Sequence, residues 1–259
     1  ETRSTVDIDF LLRNLELYDK IDHMNNLLKR NHRQLLEELR LAQTIQQSLI
    51  PSKPPEIPGI RLASLYKPME DVGGDFFDFV KVREPHLLGI FISDVSGHGV
   101  PAALITSMVK TLVETAGEKR VRPQELLGYM NDQLTGQTGG NFLTAFYGVS
   151  DTQTRVLTYA RGAHNAPFLM RGSEIFTLES RGKMLGLLEN LDFEEKEMVL
   201  HPGDKLLFYT DGLTEAANAQ GLEFEEIMPE ILQELKTLPA GEFLDQLYHA
   251  LLNHREEFN

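Results

Sequence analysis

Ile90-Phe91-Ile92-Ser93-Asp94-Val95-Ser96-Gly97-His98-Gly99 is the stretch of sequence that decides the fold. An apolar run typical of a β-strand leads into an aspartate, and a turn with two glycines then leads into a helix that begins near Val100. The pattern predicts that Asp94 lies at the end of a strand rather than inside the sheet. A carboxylate in that position can bind a hard cation beside an open turn. Aspartate is also a common turn residue, so this stretch alone leaves both interpretations open.

Two further stretches place acidic residues at strand ends. Gly73-Gly74-Asp75-Phe76-Phe77-Asp78 has two carboxylates around a strand start, behind a glycine pair that lets the backbone approach a neighbour closely. Leu206-Leu207-Phe208-Tyr209-Thr210-Asp211-Gly212 is an apolar strand followed by aspartate and glycine. Carboxylates gathered at one edge of a sheet repel one another unless a cation lies among them. Asp75, Asp94 and the aspartate at 211 therefore indicate a common cation site.

The composition excludes several classes of protein. The chain has 259 residues, enough for one large domain with an appendage, and a formal net charge of −14. This charge argues against a nucleic-acid partner, whose phosphates would be repelled. The chain contains no cysteine, which excludes disulfides, thiolate metal sites and the phosphatases that use a cysteine nucleophile.

The sequence has neither an apolar run long enough to span a bilayer nor the pattern of a signal peptide. We therefore expect a soluble, cytoplasmic domain. The chain begins with Glu1 rather than Met, so any sensor or membrane anchor would have to come from a region upstream of it.

The segment from Phe10 to Leu49 has a helical pattern. Apolar residues recur there at seven-residue steps, at Ile21, Leu28, Leu35, Ala42 and Leu49. Such a stripe is typical of a coiled coil that pairs two chains, although a helix lying on its own domain gives the same pattern. Four prolines between residues 51 and 58 then stop the helix and form a stiff connector. The sequence thus predicts a helical linker or dimerisation segment at residues 1–50 and a globular domain at 51–259.

The rest of the chain predicts short strands, with helices grouped between and after them. Strands are expected at residues 61–66, 75–82, 87–93, 142–149, 156–161, 167–170, 174–178, 193–200 and 205–209, the last two as a hairpin that turns at 202–204. Helices are expected at residues 100–116, 123–134, 223–235 and 242–254. This order favours an α+β domain with largely antiparallel sheets over a βαβ winding.

The series of motifs resembles a known family. GGDFFD, DVSGHG, FLTAFYG, GAHNAP and PGDKLLFYTDGLTEAAN occur in the order seen in the SpoIIE/RsbU-like branch of the PPM metal-dependent protein serine/threonine phosphatases. The resemblance covers residues 41 to 255, and an ordered series is far more specific than any single motif. It implies a layered α-β-β-α sandwich of two mainly antiparallel sheets flanked by helices, with the long N-terminal helix as an extension.

The resemblance also implies a metal site and roles for its residues. Asp94 would bridge two ions, the backbone carbonyl of Val95 would add a ligand, Asp75 and Asp211 would hold the ions from either side, and Asp78 is a further candidate ligand. Oxygen ligands suit Mn²⁺ or Mg²⁺, whereas the absence of cysteine and the scarcity of clustered histidine argue against zinc.

Several neighbours of these acids are candidates for supporting roles. Ser96 and His98 flank the site, and His98 could relay a proton to the leaving oxygen or simply hydrogen-bond the turn. Thr210 is a candidate donor that orients the acid beside it. Arg161-Gly162-Ala163-His164-Asn165 occupies the place of an AGHN motif in the family, with Arg and Ala departing from it, and is expected to shape a loop between two strands.

One feature of the family is missing. The family closes on an Asp-Asp-x-Thr segment that supplies another metal ligand, whereas this sequence ends at Glu256-Glu257-Phe258-Asn259. Either the sequence given stops short of this segment, or this member of the family binds metal less tightly. In the sequence as given, the second ion is in doubt and one sheet is expected to lack its last strand.

Three functions fit these residues. The leading one is a phosphatase that removes phosphate from serine or threonine of a bacterial regulatory protein, by resemblance an anti-sigma-factor antagonist of the STAS class. The second is a non-catalytic dimeric signalling module with the same fold, which the missing acid motivates. The third is a metal-dependent hydrolase of small phosphate esters or nucleotides, although the sequence contains neither a P-loop nor a dinucleotide fingerprint.

Overall fold

The computed structural model of the chain describes residues 2–68 and 72–256, without the side chains of residues 2–9 and 256. By its contacts the chain divides into two compact units, Glu1–Ile45 and Gln46–Asn259. The closing residues 257–259, at which the sequence departs from the family pattern, lie outside the described part.

The first unit is a single helix. Helix α1 runs from Thr2 to Leu49, so it contains the helix predicted from Phe10 to Leu49 and continues into the second unit. Large apolar side chains on it are exposed, among them Ile21 at 47%, Leu28 at 67% and Leu35 at 54%. The predicted apolar stripe is therefore present on the helix, whereas its pairing with a second chain stays a prediction.

The second unit contains two antiparallel sheets. The first sheet has five strands in the order β1-β2-β3-β4-β7, with bounds β1 Phe76–Lys81, β2 Leu87–Val95, β3 Leu143–Asp151, β4 Val156–Gly162 and β7 Glu195–Val199. The second sheet has three described strands in the order β6-β5-β8, with bounds β5 Phe168–Arg171, β6 Glu174–Thr177 and β8 Lys205–Leu207.

In the described residues of this unit, five helices and one turn of 3₁₀-helix accompany the sheets. Their bounds are α2 Val100–Thr115, the 3₁₀ turn Gly117–Val121, α3 Pro123–Leu134, α4 Asp211–Thr214, α5 Phe224–Leu235 and α6 Ala240–Glu256. Both α2 and α3 have a proline in the first turn, where the missing N–H group leaves no helical hydrogen bond unmade.

Three apolar layers hold the elements together. One layer packs α2 and α3 on the outer face of the first sheet, around Phe91, Val109 and Leu127. A second layer lies between the sheets, where Phe146 meets the opposite sheet. A third packs α5 and α6 on the outer face of the second sheet, around Phe224. The α-β-β-α sandwich expected from the sequence is thereby confirmed.

Two predicted elements are wrong. Residues 61–66 form no strand, although Tyr66 packs on the first apolar layer. The segments around 193–200 and 205–209 are not a hairpin, because β7 pairs with β4 in the first sheet and β8 pairs with β5 in the second. The Pro202-Gly203 turn carries the chain from one sheet to the other. A turn signal in a sequence says that the chain reverses, but it does not say which strands pair.

Candidate metal centre

The three predicted acids converge at one place in the second unit. Asp75, Asp94 and Asp211 each offer a carboxylate oxygen, and these oxygens all lie within 4.8 Å of one another. Among the residues that the structure describes, no other group of three or more acidic or histidine side chains is close enough to hold a metal ion. Their role as ligands is a prediction, but the convergence itself is a property of the fold.

Each acid reaches this point from a different element. Asp94 is the penultimate residue of β2, where it pairs with Thr144 of β3. Asp75 directly precedes β1, whose first residue pairs with Ser93 of β2. Asp211 begins α4, a short way beyond the end of β8 in the second sheet. The site therefore joins the two sheets of the sandwich.

Gly74 allows two of these elements to approach closely. A Cβ atom placed on Gly74 would lie 2.4 Å from the carbonyl oxygen of Val95 and 3.1 Å from Oδ1 of Asp94. The carbonyl oxygen of Gly74 accepts hydrogen bonds from the Val95 N–H at 3.3 Å and from the Thr106 hydroxyl at 3.2 Å. Only glycine fits here, and its contacts hold the Val95 carbonyl beside the acids.

Only one of the two carboxylate oxygens of Asp75 accepts a hydrogen bond from the described residues. Its Oδ2 accepts a hydrogen bond from the Thr210 hydroxyl at 3.1 Å, whereas its Oδ1 is buried without a partner. Burial raises the pKa of Asp75 to about 6; the Thr210 hydrogen bond opposes this shift, and the charge of Asp211 adds to it. Thr210 therefore orients Asp75, and not Asp211, the acid beside it in the sequence that it was expected to orient.

Asp94 is perturbed more strongly. Burial raises its pKa to about 7, and the charges of Asp75, Asp211 and Glu215 add to the rise, while a hydrogen bond with the Val95 backbone opposes it. Glu215, four residues after Asp211, thus belongs to the electrostatic surroundings of the site. These carboxylates repel one another, and one of them has a buried oxygen that accepts no hydrogen bond. A divalent cation bound among them would remove both costs. The donor set consists of carboxylate and carbonyl oxygens, which fits Mn²⁺ or Mg²⁺.

Asp78 does not belong to this cluster. Side chains alternate along a strand, so Asp78 shares the face of Phe76 and Val80, towards the helices, and lies away from Asp75. Its carboxylate accepts a hydrogen bond from Lys110 of α2 at 2.8 Å, and Lys110 also pairs with Glu114. The suggestion that Asp78 is a metal ligand is corrected: it forms a buried ion pair between β1 and α2.

Ser96 and His98 lie on the turn after Asp94. The Ser96 hydroxyl accepts a hydrogen bond from the Phe142 N–H at 2.8 Å, and the Ser96 N–H donates to the Phe142 carbonyl at 2.9 Å. These bonds extend the pairing of β2 and β3 and fix the turn. His98 is exposed and lines the same cleft as the three acids. A role for Ser96 or His98 in proton transfer stays a prediction.

Gln46 is a contributor that the sequence did not reveal. It is buried, its side-chain amide donates to the Gly73 carbonyl at 2.5 Å, and its side-chain oxygen accepts from the Gly73 N–H at 3.1 Å. Gly73 stands next to Gly74 and two residues before Asp75. The last turn of α1 is therefore hydrogen-bonded to the loop that leads to Asp75.

The acids lie in a broad open cleft of about 1830 Å³ in the second unit. It is an open cleft and not a closed pocket shaped around one small molecule. In the part of the chain that the structure describes, no helix combines the length and the apolar character that crossing a bilayer requires.

Known proteins are similar to this chain in sequence and in fold. The family described as Stage II sporulation protein E (SpoIIE) matches residues 84–258. The phosphoserine phosphatase RsbU of Bacillus subtilis is 26% identical over 248 residues, which span 95% of this chain and 73% of RsbU. The phosphoserine phosphatase RsbP of the same organism is 25% identical over 182 residues, which span 68% of this chain and 45% of RsbP.

A solved structure supports the fold. The SiaA-PP2C domain of Pseudomonas aeruginosa superposes with a TM-score of 0.73 and 21% sequence identity, over 87% of this chain and 92% of that domain. The layered arrangement of two sheets and flanking helices is therefore that of a PP2C domain.

Proposed function

Because this chain belongs to the SpoIIE family, we propose that it is a metal-dependent phosphatase that removes phosphate from serine or threonine residues of a protein. The observation that carries this proposal is the convergence of Asp75, Asp94 and Asp211, three acids distant in sequence, within 4.8 Å. RsbU and RsbP are named phosphoserine phosphatases, which supports the same reaction class.

Asp75, Asp94, Asp211 and the Val95 carbonyl would hold the metal. Divalent ions bound there would neutralise the phosphate and supply a nucleophilic water at neutral pH. We expect two ions, Mn²⁺ or Mg²⁺, with the second held less tightly because the described cluster contains only three carboxylates. The chain itself orients the ligands: Thr210 fixes Asp75, and Gly74 lets the Val95 carbonyl and Asp94 approach.

His98 is proposed as the acid that protonates the leaving oxygen, because it lies on the exposed turn beside the cluster. The side-chain oxygen of serine or threonine is a poor leaving group and must be protonated as it leaves. The p-nitrophenolate ion is a good leaving group and needs no proton. We expect His98→Ala to lower turnover of a phosphoserine peptide by about 100-fold or more and to leave turnover of p-nitrophenyl phosphate almost unchanged. Equal losses on the two substrates would remove this role from His98.

The substrate is proposed to be a phosphorylated bacterial regulatory protein, by family resemblance an anti-sigma-factor antagonist of the STAS class. The open cleft suits a folded protein that presents a phosphorylated side chain. The same proposal places the domain in the cytoplasm, where such a regulator acts.

Helix α1 is proposed to pair two chains and to pass a signal to the site. Its exposed stripe, with Ile21, Leu28 and Leu35, suits a coiled coil, and Gln46 at its end contacts the loop that leads to Asp75. We expect the double change Leu28→Glu and Leu35→Glu to convert a dimer into a monomer in analytical ultracentrifugation, whereas Arg33→Glu, off the stripe, leaves the dimer intact. A wild-type chain that sediments as a monomer would refute this part of the proposal.

The activity test compares the wild-type chain with Asp94→Asn, with added Mn²⁺. Hydrolysis of a phosphoserine peptide by the wild type and a loss of at least 100-fold in the variant would support the phosphatase. Equal background rates would favour the alternative, a non-catalytic dimeric signalling module with the same fold. Hydrolysis of nucleotides or small esters without hydrolysis of the peptide would favour a small-ester hydrolase.

A further inference from the structure

The acids of the metal centre come from two different sheets. Asp94 extends from β2 in the first sheet, whereas Asp211 follows β8 in the second. A small sliding of one sheet over the other would change the distance between these two carboxylates, and a metal site tolerates only about 0.5 Å of misplacement. Some contact close to the site must therefore fix the two sheets relative to each other.

The turn at residues 163–167 passes between the two sheets, since it joins β4 to β5. His164 in this turn is 1% exposed. Its Nδ1 lies 2.8 Å from the hydroxyl of Thr144, and Thr144 is the residue that pairs with Asp94 across β2 and β3. One side of the His164 ring is thus attached to the strand neighbour of Asp94.

The other side of the turn faces the strand end that carries Asp211. Nε2 of His164 is buried without a hydrogen-bond partner, and the Tyr209 backbone near the ring favours its protonated form. The neighbouring Asn165 side chain hydrogen-bonds the Tyr209 hydroxyl, and the Tyr209 ring stacks on Phe168 with centroids 5.4 Å apart. Tyr209 precedes Asp211 by two residues, so the turn holds the backbone that leads to this acid.

The turn is itself held in a fixed conformation. Arg161 donates hydrogen bonds to the carbonyl oxygens of His164, at 2.9 Å, and Ser180, at 3.2 Å. Ala163 has a φ of 57°, a left-handed conformation that costs a non-glycine residue about 1 kcal/mol or more. Strain of this kind persists where the surrounding contacts over-determine the backbone, and it is found most often near functional sites.

We propose that His164 is a positioning residue: by attaching the turn at residues 163–167 to Thr144 on the first sheet, it fixes where this turn meets Tyr209 and so sets the separation of Asp94 and Asp211. This inference rests on the proposed function, because it assigns His164 a part in the affinity of the same site for Mn²⁺ or Mg²⁺. His164 touches no reacting group, and it acts only through Thr144 and the segment that leads to Asp211.

The chemistry of the ring suits a structural tie better than a proton relay. Burial lowers the pKa of His164 to about 4, so the ring is neutral at neutral pH and carries a single N–H group. If the Thr144 hydroxyl donates to Nδ1, this N–H group is on Nε2 and is available to the Tyr209 backbone. Glutamine can place an amide N–H near the position of Nε2, whereas alanine can make neither contact.

The experiment measures Mn²⁺ dissociation constants by calorimetry and, separately, thermal unfolding in the presence of a chelator. Changes to residues that orient metal ligands commonly weaken metal binding 10–100-fold, which is the loss expected for His164→Ala. We expect a smaller loss, of several fold, for Thr144→Val, which breaks only the Nδ1 contact, and partial recovery of affinity for His164→Gln.

Tyr147→Phe is the matched control. It removes a buried hydrogen bond, from the Tyr147 hydroxyl to the Arg120 carbonyl at 2.6 Å, on the same strand as Thr144 but on the helix side of the sheet. We expect it to lower the unfolding temperature without changing the dissociation constant. If a general loss of stability were enough to weaken Mn²⁺ binding, this control would bind Mn²⁺ more weakly as well.

Wild-type affinity in both His164→Ala and Thr144→Val would overturn the inference while leaving the proposed function in place. If His164→Ala does not fold, Thr144→Val and His164→Gln decide the question by the same measurement. A wild-type chain that binds no Mn²⁺ would overturn the proposed function and this inference together.

Discussion

Replacing Gly74 with alanine should disrupt the metal centre although every acid of the site is kept. The added Cβ would lie 2.4 Å from the Val95 carbonyl oxygen and 3.1 Å from Oδ1 of Asp94. Since Cβ atoms essentially never approach a neighbour below 3.0 Å, the first contact is short by 3.0 − 2.4 = 0.6 Å. The atom that must give way is backbone, and it belongs to a predicted ligand.

A displacement of this size exceeds the roughly 0.5 Å within which a binding site must be held. We therefore expect Gly74→Ala to weaken Mn²⁺ binding by about 10–100-fold, equivalent to about 1.4–2.7 kcal/mol, and to lower phosphatase turnover at limiting metal. Overpacking should also destabilise the fold by about 1–3 kcal/mol. Calorimetric titration with Mn²⁺ measures the first effect, and urea unfolding in a chelator measures the second.

The adjacent glycine provides the control. A Cβ on Gly73 would meet its nearest neighbour, the Tyr66 hydroxyl, at an ordinary 3.8 Å, and its N–H group would still reach Gln46. We expect Gly73→Ala to bind Mn²⁺ within about twofold of the wild type, because no ligand has to move. Equal affinities in the two alanine variants would show that the Val95 carbonyl and Asp94 do not bind the metal in the observed arrangement.

Three further predictions concern charge and strain. The raised pKa values of Asp75 and Asp94, about 6 and about 7, mean that these two groups bind protons more tightly in the folded chain than in the unfolded chain; with a chelator, the stability that they contribute should be lost as the pH rises from about 4 to 7. The pKa of His164, lowered by burial to about 4, changes stability in the opposite direction over this range, so the contribution of Asp94 is measured as the difference between the wild type and Asp94→Asn in thermal unfolding. The wild type should lose stability relative to the variant as the pH rises, Mn²⁺ should reverse this loss, and a difference that does not change with pH would contradict the proton linkage. Lys110→Ala, which leaves buried Asp78 without its partner, should cost about 3–5 kcal/mol in urea unfolding and leave Mn²⁺ affinity unchanged, and a weakened affinity would return Asp78 to the metal site. Ala163→Gly should raise stability by up to about 1 kcal/mol, since glycine adopts a φ of 57° without a Cβ penalty, and a loss of stability would show that the turn is not strained.

The sequence by itself determined where individual strands and helices lie along the chain. The position of Asp94 at the end of an apolar run predicted its place at the end of β2, and the proline in the first turn of α3 marked the start of that helix. The repeat of apolar residues along a strand or a helix shows which of its side chains face an apolar layer, and this repeat can be read from the local sequence alone. The ordered motifs added the family and, with it, the layered fold.

The partners of these elements were decided only by the tertiary structure. Lys110 withdraws Asp78 from the acids because β1 turns that side chain towards α2, and β7 and β8 enter different sheets although they are neighbours in sequence. Gln46 hydrogen-bonds Gly73, which is 27 positions away in the sequence, and His164 contacts Thr144, which is 20 positions away. A sequence pattern records which way a side chain faces within its own element, whereas the identity of the group it meets depends on how the sheets and helices pack.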